Sequence, residues 1–109
     1  MPRFGTKSKM QLHTCDDRLK ELFKKVVKDF DCTVIEGYRG KTKQNSAYER
    51  GNSKLRFPRG RHNRMPSVAV DVIPYPIDWK DRDRMHYFAG YVLGIARTMG
   101  LNIRYKNQR

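Results

Sequence analysis

Ser67-Val68-Ala69-Val70-Asp71-Val72-Ile73, closed by Pro74-Tyr75-Pro76, is the stretch on which the architecture turns. Its β-branched residues alternate, with Val68, Val70 and Val72 on one face and Ala69, Asp71 and Ile73 on the other. A two-residue period of this kind predicts a strand, and the prolines that follow cannot extend a ladder. Working back from it, residues 52 to 64 are basic, hold Pro58 and Gly60 and show no period, which predicts an extended loop. Lys41 to Arg50 predicts a short polar helix with Gly51 placed to stop it. Gly37-Tyr38-Arg39-Gly40 predicts a turn, and Cys32-Thr33-Val34-Ile35-Glu36 a short strand before it. Asp16 to Phe30 carries Leu19, Leu22, Phe23, Val26, Val27 and Phe30 at helical spacing, with Thr14 or Asp16 as its cap. On the other side, Asp81 to Met99 carries Met85, Phe88, Ala89, Val92, Ile95, Ala96 and Met99 as a buried stripe, and Leu101 to Tyr105 predicts one more strand. The order α-β-α-β-α-β implies an α+β fold, a small antiparallel sheet packed against helices in one domain over residues 1–109.

The chain has 109 residues, with 24 Lys+Arg against 11 Asp+Glu and a formal net charge of +13. No apolar run approaches the ~18 residues of a membrane span. The basic start, Met1-Pro2-Arg3-Phe4-Gly5-Thr6-Lys7, lacks the apolar stretch of a secretory signal, so the protein is expected in the cytoplasm unless another agent releases it. A field of this sign concentrates polyanions, whether nucleic acid, anionic lipid or an acidic bacterial wall, and does not choose among them. Tyr38, Arg39, Tyr48, Arg56, Phe57 and Arg59 interleave rings and cations as a base-stacking surface does, yet no recognisable nucleic-acid-binding motif accompanies them. Cys15 and Cys32 form no C-x-x-C pair, and in a cytosolic chain they are expected to be small buried hydrophobes.

His62 and Asp71 are the chemically informative pair. A carboxylate between Val70 and Val72 is costly to bury unless it is paired or binds a cation. Imidazole nitrogen and carboxylate oxygen are both zinc ligands, and a loop returning into a strand brings the two positions to one metal. The spacing alone also fits a salt-bridged structural aspartate and a surface histidine.

The stretch Arg61-His62-Asn63-Arg64-Met65-Pro66-Ser67-Val68-Ala69-Val70-Asp71-Val72-Ile73-Pro74-Tyr75-Pro76-Ile77-Asp78-Trp79 closely resembles the zinc motif of phage endolysins in the D-alanyl-D-alanine carboxypeptidase / L-alanyl-D-glutamate endopeptidase family. Phe4-Gly5 with Ser8, Leu12 and His13 resembles the family's opening segment. Gly37-Tyr38-Arg39, then Gln44, Ala47, Tyr48, Gly51 and Ser53, resembles a second conserved-order segment of that family. The resemblance implies a zinc-dependent peptidoglycan peptidase that acts as a monomer on stem peptides, with the L-alanyl-D-glutamate bond favoured over a D,D-bond. It implies His62 and Asp71 as two of three zinc ligands and Arg39 as the residue that contacts substrate and holds developing negative charge. Gln44 and Ser53 would line the same cleft. Arg39 as a loop arginine on Glu36 or Asp71, and Gln44 as a solvated helix residue, are the structural alternatives.

Relatives continue past the strand matching Ile103-Arg104 to an acidic general base and a histidine that is the third ligand, whereas this sequence reads Tyr105-Lys106-Asn107-Gln108-Arg109. The expectation is a peptidase domain without its usual C-terminal segment, through truncation, an interrupted frame or a split gene. His13 and His86 are the remaining histidines available as a replacement ligand. A non-catalytic basic module for wall polymer or nucleic acid is the alternative function.

Overall fold

The computed structural model describes residues 2–105 and is α+β. Its elements run α1 (Thr6–His13), α2 (Asp17–Asp29), β1 (Cys32–Glu36), α3 (Lys41–Glu49), a 3-10 turn at Arg61–Asn63, β2 (Asp71–Pro74) and α4 (Arg82–Thr98). The two long helices form where the 3.6-residue period is clearest. Asp16 caps α2 by accepting from Arg18 N–H at 2.9 Å, and Leu19, Leu22, Phe23, Val26 and Val27 are buried. Asp81 caps α4 by accepting from Arg84 N–H at 3.0 Å, and that helix buries Phe88, Ala89, Val92 and Ala96. Phe30, just past α2, meets Phe88 edge-on at 4.9 Å between ring centroids, which ties the two helices together.

β1 and β2 pair antiparallel, with Cys32 opposite Pro74, Thr33 opposite Ile73 and Val34 opposite Val72. An irregularity between Val34 and Glu36 shifts the register, so that Glu36 rather than Ile35 faces Asp71. Bulges of this kind re-aim side chains. Here the result is two carboxylates opposite each other, an arrangement that costs stability unless a cation stands between them.

Three elements differ from the sequence expectation. α1 has only Met10 and Leu12 as large apolar residues, too few for a visible stripe, and it is held by tertiary contact instead: Ser8 and Leu12 are buried, and Ser8 Oγ accepts from Val34 N–H at 3.1 Å. Ser67 to Val70 was expected to begin the second strand, but the strand starts at Asp71. Ser67 is committed elsewhere: its N–H donates to Thr14 O at 2.8 Å, its carbonyl accepts from Asp16 N–H at 2.7 Å, and its hydroxyl donates to Ala69 O at 2.7 Å. Leu101 to Tyr105 has no regular structure and joins no sheet; Leu101 and Ile103 pack against the core instead. Residues 106–109 lie outside the described residues.

Cys15 and Cys32 are free and buried, as small hydrophobes. Burial, aided by the charge of Asp31, pushes the Cys32 thiol up to about 12, so thiolate chemistry is closed to it. Among the described residues no helix is long and apolar enough to cross a membrane.

Candidate active site

The C-terminal turn of α1 builds the platform for the site. Gln11 Oε1 accepts from Gly37 N–H at 3.1 Å, and Thr14 Oγ1 accepts from Tyr38 N–H at 2.8 Å. The turn after β1 is thereby pressed so closely onto α1 that a Cβ on Gly37 would stand 2.4 Å from Gln11 O and from Thr14 Oγ1, and 2.8 Å from Cys15 Sγ. Only glycine fits there. Gly37→Ala is expected to cost about 1–3 kcal/mol by overpacking, read as a fall in thermal midpoint. An unchanged midpoint would show that the platform yields freely.

The platform presents the Gly37 carbonyl, on which His62 rests: Nδ1 lies 2.7 Å from Gly37 O. A carbonyl only accepts, so Nδ1 carries the proton and Nε2 is the nitrogen turned toward Asp71. His62 Nε2 and Asp71 Oδ1 are 3.4 Å apart. That is long for an N–H···O bond, which falls at about 2.7–3.2 Å. It matches the separation of two ligand atoms each about 2.0–2.2 Å from one tetrahedral zinc, which is about 3.3–3.6 Å. Carbonyl-oriented histidine is also the usual second partner of a metal-bound ring. The pair therefore fits a zinc ion in donor type, tautomer and spacing.

Arg39 completes the constellation. Its Nε donates to Glu36 Oε1 at 2.9 Å, Nη1 to Gln44 Oε1 at 3.1 Å, and Nη2 reaches Glu36 Oε1 at 2.9 Å and Asp71 Oδ2 at 3.5 Å. The guanidinium thus neutralises the two carboxylates that the β-bulge brings together. A guanidinium has five N–H donors in one planar fork, which is how Arg39 reaches Glu36, Gln44 and Asp71 together. Both structural alternatives for Arg39 hold at once, since it pairs with Glu36 and with Asp71.

Gln44 is 1% exposed, so it is neither solvated nor open to a ligand. Its Oε1 accepts from Arg39 and Asn63, while its Nε2 donates to Ser53 Oγ at 2.9 Å and Leu55 O at 2.6 Å. Ser53 is held on the outer side of Gln44, where its hydroxyl also donates to Leu55 O at 3.2 Å. The structure brings His62, Asp71 and Arg39 together and sets Gln44 and Ser53 behind them.

Burial disfavours the His62 imidazolium, but the Asp71 carboxylate and the Gly37 carbonyl outweigh burial and the nearby Arg39, so the His62 pKa stands above its ordinary value. A raised folded-state pKa contributes stability that is fully present below the ordinary histidine pKa and is lost as pH rises through the raised value. Asp71→Asn removes the main raising influence. The His62 pKa in metal-free protein should then fall, read from the ring-proton shifts in an NMR titration; a value unmoved from wild type would break the pairing argument.

Among the described residues no group of three His, Cys, Asp or Glu side chains is placed to hold a metal. His13 ends α1 and is exposed, and His86 lies exposed on α4 with its Nδ1 3.4 Å from Tyr105 OH. Neither joins His62 and Asp71. Asn63 and Gly37 were not expected as parts of the site, and Glu36 was expected only as a structural partner of Arg39. Asn63 and Gly37 stood inside the quoted stretches beside more conspicuous residues.

A family model described as phage L-alanyl-D-glutamate peptidase matches residues 1–108. Among solved structures, the L-Ala D-Glu endopeptidase ChiX of Serratia marcescens superposes with a TM-score of 0.78 at 23% identity, over 95% of this chain and 79% of that one. At that identity the likeness speaks for the fold. No curated protein matches the chain.

Proposed function

The chain belongs to the phage L-alanyl-D-glutamate peptidase family and is a peptidase, and from that premise we propose that it is zinc-dependent and cuts the L-alanyl-D-glutamate bond of peptidoglycan stem peptides. The observation that carries the metal is the 3.4 Å pair of His62 Nε2 and Asp71 Oδ1, with the ring fixed from behind by Gly37 O at 2.7 Å. Zinc bound there supplies a water acidified to a pKa of about 7 and polarises the scissile carbonyl. The chain's own residues do the rest. Gly37 O holds the Nδ1 proton and so keeps Nε2 free for the metal. Asp71 would offer Oδ1 to the metal while Oδ2 faces Arg39. The Arg39 guanidinium, beside Asp71, would stabilise the oxyanion that develops when the carbonyl is attacked.

Catalytic zinc sites use three protein ligands; among the described residues two, His62 and Asp71, stand together. Residues 1–109 act as one peptidase body. Residues 37–70 hold nine Lys/Arg and one acid, Glu49, a basic surface suited to an anionic wall once the enzyme reaches it.

The test is digestion of purified peptidoglycan, with the new ends identified by mass spectrometry. New L-alanine carboxyl ends paired with free D-glutamate amines are expected, lost on chelation and restored by zinc. Release of free D-alanine would instead assign a D,D-carboxypeptidase, and cleavage indifferent to chelator would remove zinc from the account.

A further inference from the structure

The side chain of Asn63 is the knot of a buried hydrogen-bond strap joining the two halves of the site. Asn63 lies next to His62 on the 3-10 turn and is 9% exposed. Its Nδ2 donates to the Arg39 carbonyl at 2.8 Å and to Gln44 Oε1 at 3.2 Å, and its Oδ1 accepts from Gly60 N–H at 2.8 Å. The backbone runs a second strand of the strap beside it, with Arg39 N–H donating to His62 O at 2.6 Å. Gln44 closes the circuit, because the same Oε1 that accepts from Asn63 also accepts from Arg39 Nη1 at 3.1 Å. The packing is tight: a Cβ on Gly60 would stand 2.8 Å from Asn63 Oδ1 and 3.1 Å from Gln44 Oε1. His62 sits on a loop of 50–64 that has only the short 3-10 turn for regular structure. Such a loop does not hold a ring to within a few tenths of an ångström unless something rigid grips it.

We propose that Asn63 and Gln44 are positioning residues, whose paired amides fix the His62 ring and the Arg39 guanidinium relative to each other. Gln44 thus serves the site from behind and does not touch the substrate. The inference rests on the reading of His62 and Asp71 as a zinc pair and of Arg39 as the oxyanion donor. Every amide atom of the pair has a partner, so exchanging one amide for a carboxylate of the same shape is enough to break it. In Asn63→Asp both Nδ2 donors are lost, and oxygen faces the Arg39 carbonyl and Gln44 Oε1.

The experiment measures zinc affinity by calorimetry, and kcat and KM for stem-peptide cleavage, on wild type and Asn63→Asp side by side. Loss of a supporting partner typically costs 10–100-fold in metal affinity or activity. We expect zinc affinity and kcat each to fall by about 10-fold or more, with KM changed by less than about 3-fold. A folded variant with wild-type affinity and wild-type kcat overturns the strap while leaving the zinc reading intact. If wild type itself binds no zinc, the zinc reading fails instead, and kcat alone then decides for or against the strap through Arg39. Should Asn63→Asp fail to fold by circular dichroism, Gln44→Met cuts the strap from its other end, with the same expected and overturning results.

Discussion

Replacing His62 with alanine is expected to abolish one-to-one zinc binding and with it peptide cleavage. Loss of a residue that merely supports a ligand costs about 10–100-fold in affinity, and loss of a ligand costs more, so binding should fall by at least about 100-fold. The structural cost should be small by comparison. His62 stands on a 3-10 turn and contributes one hydrogen bond to Gly37 O and one contact with Asp71; a hydrogen bond of this kind contributes about 1 kcal/mol net. A folded, inactive, zinc-free variant is therefore the expected result. Calorimetric titration of both proteins reads it directly. Equal binding by wild type and variant would place the metal elsewhere and withdraw the roles given to His62 and Asp71.

Arg39 gives the second large effect, and two substitutions separate its two duties. Arg39→Ala removes the cation that stands between Glu36 and Asp71, which the sheet register places opposite each other. All three side chains are more than two-thirds buried, so leaving the carboxylates unneutralised should cost on the order of 2 kcal/mol of stability. On the proposed role it also deletes an oxyanion donor, a loss that typically lowers kcat by about 10²–10³-fold. Arg39→Lys keeps the charge but not the planar fork that reaches Glu36, Gln44 and Asp71 together. It should regain much of the lost stability while kcat stays at least about 10-fold down. The measurement is a thermal midpoint beside kcat for each variant. If kcat follows stability in both, Arg39 is a counter-ion for the two carboxylates and nothing more. If Arg39→Lys folds well and turns over slowly, the geometry of the guanidinium is what catalysis needs.

The readable and unreadable parts of this protein divide along one physical line. The elements whose stability is periodic and local were legible from their residues: α2 and α4 from their apolar stripes, β1 from its short branched run bounded by Gly37, α3 from its polar span up to Gly51. Legible too was the case for joining His62 and Asp71, because a carboxylate flanked by valines needs a partner. Elements held by distant contacts were not legible. α1 lacks a stripe and depends on Ser8 bonding Val34 across 26 positions. The first half of the 67–73 stretch has a strand's pattern, yet Ser67 is claimed by Thr14 and Asp16 before it can pair. The assembly of the site follows from long-range contacts. The ring of His62 is oriented by a carbonyl 25 residues away, and Arg39 meets Asp71 across 32. A one-residue shift in the β1–β2 register puts Glu36 opposite Asp71 and so calls Arg39 between them. Gln44, expected to line the cleft or else to be a solvated helix residue, is buried against a folded-back loop, and such burial leaves no period to read. Hydrogen bonds between distant segments depend on where loops return, and no local pattern of side chains encodes that.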